Sequence, residues 1–270
     1  EQADVAQRSL LGSGVAFAAS SAQMEAQYYR AVRELLSCIK PAAGAEPILH
    51  EGGIYHGCWL ESTATINNEL LCRFLPAVAA RTFAAFAEHQ RGDGLFPYKL
   101  TADGAAFSQI QTVTPLARSA WTHYSLNGRD RAWLLRLYEA MARNDAWLAE
   151  WRDTLGTGGV EAFCTYDTGH DLSARFWHVP DSPLGNDPRA VDPDNPLVPF
   201  VAPDLTANVA CQRSYLARMA EELGEDGAPW RAKAAHSLAA LFEQCFDEAD
   251  GFFYDRDRHG RLVRVQSDVL

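Results

Sequence analysis

The stretch DLTANVACQRSYLARMAEELGEDGAPWRAKAAHSLAALFEQC, residues 204–245, decides the fold class. Leu205, Val209, Leu216, Met219, Ala220 and Leu223 recur at helical spacing, with Asp204 placed as N-cap and Gly224 as a left-handed stop. A second helix starts at Pro229, a favourable first-turn residue, and presents Trp230, Ala234, Leu238, Leu241, Phe242 and Cys245 on one face. So short a connection makes the two an antiparallel helical hairpin.

The same form recurs upstream. A helix over 115–126 stops at Asn127-Gly128, Asp130 caps the next, and Leu134, Leu137, Tyr138, Met141, Leu148 and Trp151 form its stripe. Residues 61–74 and 77–90 make a third pair, and a first long helix over 22–39 has Met24, Tyr28, Val32 and Leu35 as its face. Seven helices with almost no period-two alternation predict an all-α protein. The exception is 251–265, which reads as a small β-hairpin.

An internal repeat orders these hairpins. GDGLFPY (92–98) follows one helix, GTGGVEAF (156–163) another and ADGFFYD (249–255) a third. Helical hairpins stacked side by side form a solenoid or a closed ring. Long aromatic, carboxylate-bearing connections favour a ring with a site at its mouth, the loops after Gln90, Trp151 and Phe246 sharing one end or side.

Composition narrows the function class. Lys plus Arg number 24 against 35 Asp plus Glu, a net charge of −11, which argues against nucleic acid and anionic membrane surfaces as partners. With 47% hydrophobic and 22% charged residues, the chain is globular rather than disordered. Seven Trp, nine Tyr and thirteen Phe favour a pocket walled by rings. Six cysteines without zinc-ligand spacing read as buried thiols. The uncharged run 9–24 reads as a loop and helix start rather than a signal peptide, so residues 1–21 are set apart from a main region over 22–270, and the expected location is cytoplasmic.

Two segments carry candidate chemistry. EAFCTYDTGHDLSARFW (161–177) places Asp167, His170 and Asp171 beside Arg175, Phe176 and Trp177. A carboxyl among aromatic rings has its charged form desolvated, which suits a general acid; the alternative is that Asp167 and Asp171 are turn residues. GGIYHGCWLESTATINNE (52–69) sets Trp59, Glu61 and the polar row Ser62, Thr63, Asn67 and Asn68 after a glycine-rich loop that includes Gly53. That is a wall for a sugar, unless Glu61 only favours the helix N-terminal dipole. Gln109 and Gln111 precede the next inner helix and could reach the same mouth.

WLEST, HQRGDGLFPY, SQIQTVTP, YDTGHDLSARFW, APDLTANV and DEADGFFYD together resemble the mannosylglycerate and glucosylglycerate hydrolase-like proteins, in order and spacing, over nearly the whole chain from Met24. These are related to processing α-glucosidase and trehalase, so the resemblance implies an (α/α) toroid of six helical hairpins, of which this chain holds about four. YDTGHDLSARFW looks like the family's E-[ST]-G-x-D-N-S-P-R-W segment, with Asp167, Leu172 and Ala174 departing from Glu, Asn and Pro. By that resemblance Asp171 is the general acid, Trp59, Glu61, Gln111, Arg175, Trp177, Asp204 and Asn208 contact substrate, and the general base is a Glu expected beyond Leu270.

The function so implied is inverting hydrolysis of a small α-linked glucoside or mannoside, with a small-molecule or oligosaccharide substrate and neither metal nor organic cofactor. Two alternatives stand beside it. One is a sugar isomerase or epimerase using His170 or His123 as proton carrier; the other is a carbohydrate-binding or structural helical protein without turnover.

Overall fold

The computed structural model describes residues 17–42, 46–52, 54–111, 115–171 and 173–265. Gly53, Leu172, residues 9–16 of the uncharged run and residues 266–270 lie outside that set. The helices are α1 (Ala22–Ser37), α2 (Asn68–Leu71), α3 (Pro76–Glu88), α4 (Leu116–Leu126), α5 (Arg131–Trp151), α6 (Pro203–Leu223) and α7 (Ala228–Cys245).

Local chemistry explains most helix ends. The Asp130 side chain accepts hydrogen bonds from the N–H groups of Ala132 and Trp133, which opens α5. Gly224 takes φ 88°, closes α6 in the left-handed region, and frees the chain to turn into α7 with Pro229 in its first turn. Asp204 is not the N-cap of α6: Ala202 holds that position, and Asp204 lies in the first turn with its carboxylate committed to Arg175.

On α7, Leu238 is 46% and Phe242 55% exposed, contrary to the expected stripe. The buried line is Ala234, Ser237, Ala240, Leu241 and Cys245, mostly small side chains that let helix backbones approach closely. On α1, only Leu36 is buried, and Met24 on the predicted face is 56% exposed. The pair over 61–90 opens as a π-helical turn, Ser62–Asn67, that runs into α2. Asn68 is buried there with its amide donating to the Ala79 carbonyl at 3.0 Å, so it braces α3 and leaves the polar row.

Two packed clusters divide the interior. Phe83, Phe86, Tyr124, Leu134, Met141 and Leu216 join α3, α4, α5 and α6. Full burial of side chains such as Phe83 or Leu134 is worth about 1.5–3 kcal/mol each. Leu95, Ile110, Trp147, Val160, Phe176 and Leu205 form the second cluster. It draws the connection after α3 and the connection after α5 onto the same end of α5 and the start of α6.

Short ladders then stitch the connections together, so the expectation of a single β-hairpin is too small. Eleven strands of two or three residues occur among the described residues. β1 (Ile39–Lys40) pairs with β2 (Ile48–Leu49), while β3 (Cys58–Trp59), β4 (Lys99–Thr101) and β5 (Gly104–Ala106) form an antiparallel sheet. β6 (Glu161–Ala162) pairs with β7 (Phe200–Val201), and β8 (Phe246–Asp247) pairs with β9 (Phe252–Phe253). β10 (Asp255–Arg256) and β11 (Leu262–Val263) form the expected hairpin, and Arg256 of β10 pairs with Val201 of β7. The order β11-β10-β7-β6 thereby ties the connection after α7 to the one after α5. Strands this brief leave no alternation for the sequence to display. No helix of the described residues is long and apolar enough to cross a membrane.

Candidate active site

The segment 161–177 is held from beneath by a buried ion pair. Asp167 is fully buried and accepts from the backbone N–H of Ile110 at 3.0 Å and of Phe163 at 2.9 Å, and from Arg152 Nη1 at 2.5 Å. Arg152 is equally buried and also donates to the carbonyls of Glu161 and Pro188. Asp167 is therefore a brace rather than a reacting group. It pins the Gln109–Gln111 stretch to the segment that follows α5.

Gly169 at φ 72° then turns the chain, and Ser173 accepts from the Arg175 N–H to start the short 3-10 turn Ala174–Phe176. This turn drives Arg175 inward. Its Nη1 and Nη2 reach the two oxygens of Asp204 at 2.8 Å each, while Nε and Nη2 reach Asp255 at 2.5 and 2.6 Å. With every guanidinium nitrogen engaged by a carboxylate, Arg175 is a clamp between α6 and β10. Asp204 is spent the same way: it binds Arg175, accepts from the Leu205 N–H, and faces His170 Nε2 at 3.5 Å.

One guanidinium shared by two carboxylates cannot serve both equally. Burial works against the charge on Asp204, but Arg175 and His170 outweigh it and hold the carboxyl well below the usual range. Asp255 is wholly enclosed, and burial pushes it up to about 6 despite Arg175.

The second wall comes from the glycine-rich loop. Glu61 is half-buried, and desolvation, with the nearby charges of Asp171 and Glu51, raises it to about 7. Glu51 accepts from the Ser62 hydroxyl at 2.9 Å and from the Thr63 hydroxyl, and so holds the π-helical turn. Asp171 reaches solvent, yet desolvation by its surroundings, helped by Asp181, raises it as well, against the pull of His170. Glu61 and Asp171, 110 positions apart in the sequence numbering, thus share one electrostatic environment. Both are raised above their ordinary values.

Other expected members are placed less uniformly. Trp59 lies on β3 beside Glu61, with the Lys99 ammonium 4.9 Å above its ring and Tyr55 edge-on at 6.0 Å. Gln111 is buried at φ 42°, donates to Gln109 Oε1 at 3.2 Å, and its own Oε1 has no partner among the described residues. Asn208 is half-buried one turn beyond Asp204 on α6. Trp177, at 78% exposure, stands out from the surface. A groove of about 390 Å³ lined by Arg152, Arg213, Lys233 and His236 contains none of these residues.

His123 does not belong to the site. It sits in the last turn of α4, opposite the end that Gln111 leads into, packed 4.8 Å from the Trp133 ring, and burial lowers its pKa. The proton-carrier reading therefore loses one of its two candidates. Glu51 and Asp255 escaped sequence reasoning. Asp255 stood inside the repeated Asp-Gly-aromatic motif, a usable signal, whereas nothing about Glu51 distinguishes it from any loop carboxylate. Among the described residues, no group of three or more His, Cys, Asp or Glu is arranged to hold a metal ion, and all six cysteines are free, four of them buried.

Solved structures resemble this fold, among them the following three. GH63 mannosylglycerate hydrolase from Thermus thermophilus in complex with Tris aligns with TM-score 0.70 and 18% identity over 89% of this chain and 70% of that chain. Its complex with glucose aligns with TM-score 0.71 at 18% identity over the same 89% and 70%. An uncharacterized conserved protein from the same organism gives TM-score 0.70 at 19% identity, again over 89% and 70%. At such identity these likenesses speak for the fold. No curated protein matches the chain in sequence. The family profile described as Mannosylglycerate hydrolase MGH1-like glycoside hydrolase domain, however, matches residues 55–269, and the chain belongs to that glycoside hydrolase family.

Proposed function

We propose that this chain forms part of an (α/α) toroid, residues 22–270 after an N-terminal segment, and hydrolyses a small α-linked glucoside or mannoside with inversion. Asp171 is the general acid. Glu61 and Gln111 hold sugar hydroxyls, Trp59 offers the ring face not covered by Lys99, and Trp177 and Asn208 complete the substrate contacts. Arg175 and Asp204 act indirectly by fixing the segment that carries the acid.

The observation that supports this reading is the placement of a solvent-exposed Asp171 on a segment held by the buried Asp167–Arg152 and Arg175–Asp204 pairs, with the Asp171 and Glu61 carboxyls both raised. A general acid must reach the leaving oxygen, and Asp171 is solvent-exposed, with its pKa raised by desolvation in the direction that favours a proton donor. The glucose complex, and the Tris and D-glycerate complex, of the Thermus thermophilus hydrolase favour a small polar substrate. Inversion requires a second carboxylate roughly 6.5–9.5 Å from the acid, activating water on the opposite face of the sugar. By the family resemblance that partner is a Glu.

Proton NMR of the earliest product from a glucosyl or mannosyl α-glycoside, with the protein expressed from its full reading frame, tests the assignment. The β-anomer should dominate before mutarotation. A first-formed α-anomer would overturn inversion, and binding without hydrolysis would replace catalysis with recognition.

A further inference from the structure

The segment that carries Asp171 is fastened on both sides of that residue. Before it, His170 Nε2 faces Asp204 Oδ2 at 3.5 Å; after it, Arg175 commits its guanidinium to Asp204 and Asp255. Asp204 lies in the first turn of the long helix α6. Asp255 comes from β10, 80 positions beyond Arg175. Backbone pairing holds it there: Asp255 stands opposite Val263 of β11, and the next residue, Arg256, opposite Val201 of β7.

At 4% exposure Asp255 is out of reach of a substrate, and its two oxygens take Arg175 Nε at 2.5 Å and Nη2 at 2.6 Å. Desolvating a carboxylate is costly, and a well-packed apolar side chain fills such a space with less penalty. Fold stability alone therefore does not call for an acid here. Fixing a guanidinium does, because two parallel bonds set both the distance and the plane of the fork. Arg175 stands in the 3-10 turn Ala174–Phe176, only a short stretch of chain beyond Asp171, so a shift of the guanidinium is passed to the acid.

We propose that Asp255 is a positioning residue for the acid: from β10 it fixes the plane of Arg175, and through Arg175 it holds the segment that carries Asp171 in place for proton delivery. This rests on the reading of Asp171 as the acid. Asp257 is the matched comparison. It is also 4% exposed, but its carboxylate accepts from the N–H groups of His259 and Arg261 and from Arg261 Nε, and so closes the β10–β11 turn instead.

The test uses the protein expressed from its full reading frame, with a natural-type α-glycoside and the matching glycosyl fluoride. Asp255→Asn keeps the size of the side chain but turns an amide N–H toward a guanidinium N–H, so one bond of the fork is lost. Its kcat on the glycoside should fall by roughly 10- to 100-fold with KM within about twofold, while the fluoride, which departs without protonation, should lose less than about threefold. Asp257→Asn should keep the wild-type ratio of glycoside to fluoride rates, whatever happens to its melting temperature. Equal losses on both substrates in Asp255→Asn would make Asp255 a residue of the fold alone and overturn the proposal. Should that variant not fold, Arg175→Lys, which replaces the fork by a single ammonium, decides: a glycoside-selective loss supports the proposal, and a wild-type ratio in folded protein overturns it.

Amide hydrogen exchange separates this proposal from the reading beneath it. In Asp255→Asn the amides of 173–177 should exchange at least ~10-fold faster while those of α5 keep their wild-type rates. Unaltered protection over 173–177 would overturn the proposal even in an active hydrolase. Faster exchange there in a protein that cleaves no glycoside would support the anchoring and defeat the hydrolase reading alone.

Discussion

Glu61 shows how one residue reports on the site. Its carboxyl ordinarily titrates near 4.5 and is raised to about 7 by desolvation and by the charges of Asp171 and Glu51. A raised carboxyl binds its proton more tightly in the folded than in the unfolded chain. Its stabilising contribution is therefore full below the ordinary range and is lost as the pH rises through about 7. Glu61→Gln removes that loss. The stability of the variant relative to wild type, measured by urea unfolding, should accordingly improve between about pH 5 and about pH 8. A pH-independent difference would contradict the assigned environment. Asp171 stands out as a candidate in the sequence because aromatic neighbours and the segment motif both mark it. The Arg175 clamp was not, since Asp255 lies 80 positions away and only the β7–β10 pairing brings it back. The Asp167–Arg152 pair likewise joins two ordinary-looking residues into a brace whose disruption would cost roughly 3–5 kcal/mol, the usual penalty for stranding a buried charge.

Among the elements, the connection after α3 depends on one close approach. Gly94 sits at φ +104°, and a Cβ there would lie 2.6 Å from the Arg143 carbonyl oxygen of α5. Trp147 Nε1 and Asn144 Nδ2 fasten the same loop by donating to Asp93 Oδ2 at 3.0 Å and to the Gly94 carbonyl at 3.2 Å. Gly94→Ala should therefore lower unfolding stability by more than ~1 kcal/mol, because strain at positive φ adds to a clash with backbone that cannot swing aside. Gly92→Ala, with nothing within 4 Å of its Cβ, should stay within ~0.5 kcal/mol. Equal effects at the two glycines in chemical denaturation would remove the packing argument. Helices α4 to α7 were readable because capping and periodicity are local properties of the chain. The short strands and the π-helical turn were not, since each depends on a partner brought up by the tertiary fold. The exposed Leu238 and Phe242 mark the same limit, because spacing shows that a face is apolar but not what lies against it.

At the scale of the molecule, the helices form a frame and the three long connections form one end of it. The buried cluster around Trp147 gathers the first two, and the sheet β11-β10-β7-β6 attaches the third. Asp171 and Glu61 reach a common environment only through this arrangement, which makes the candidate site a property of the end rather than of any single loop. The central claim is that Asp171 delivers a proton to a departing glycosidic oxygen. Asp171→Asn keeps the size and most hydrogen bonds of the side chain but cannot deliver that proton. Turnover of a natural-type α-glycoside by the variant should fall by roughly 10² to 10⁴, while the matching glycosyl fluoride, whose leaving group departs without protonation, should lose far less. Equal losses on both substrates would reduce Asp171 to a residue that orients sugar or props the loop, and undiminished hydrolysis of the natural-type glycoside would remove it from the mechanism.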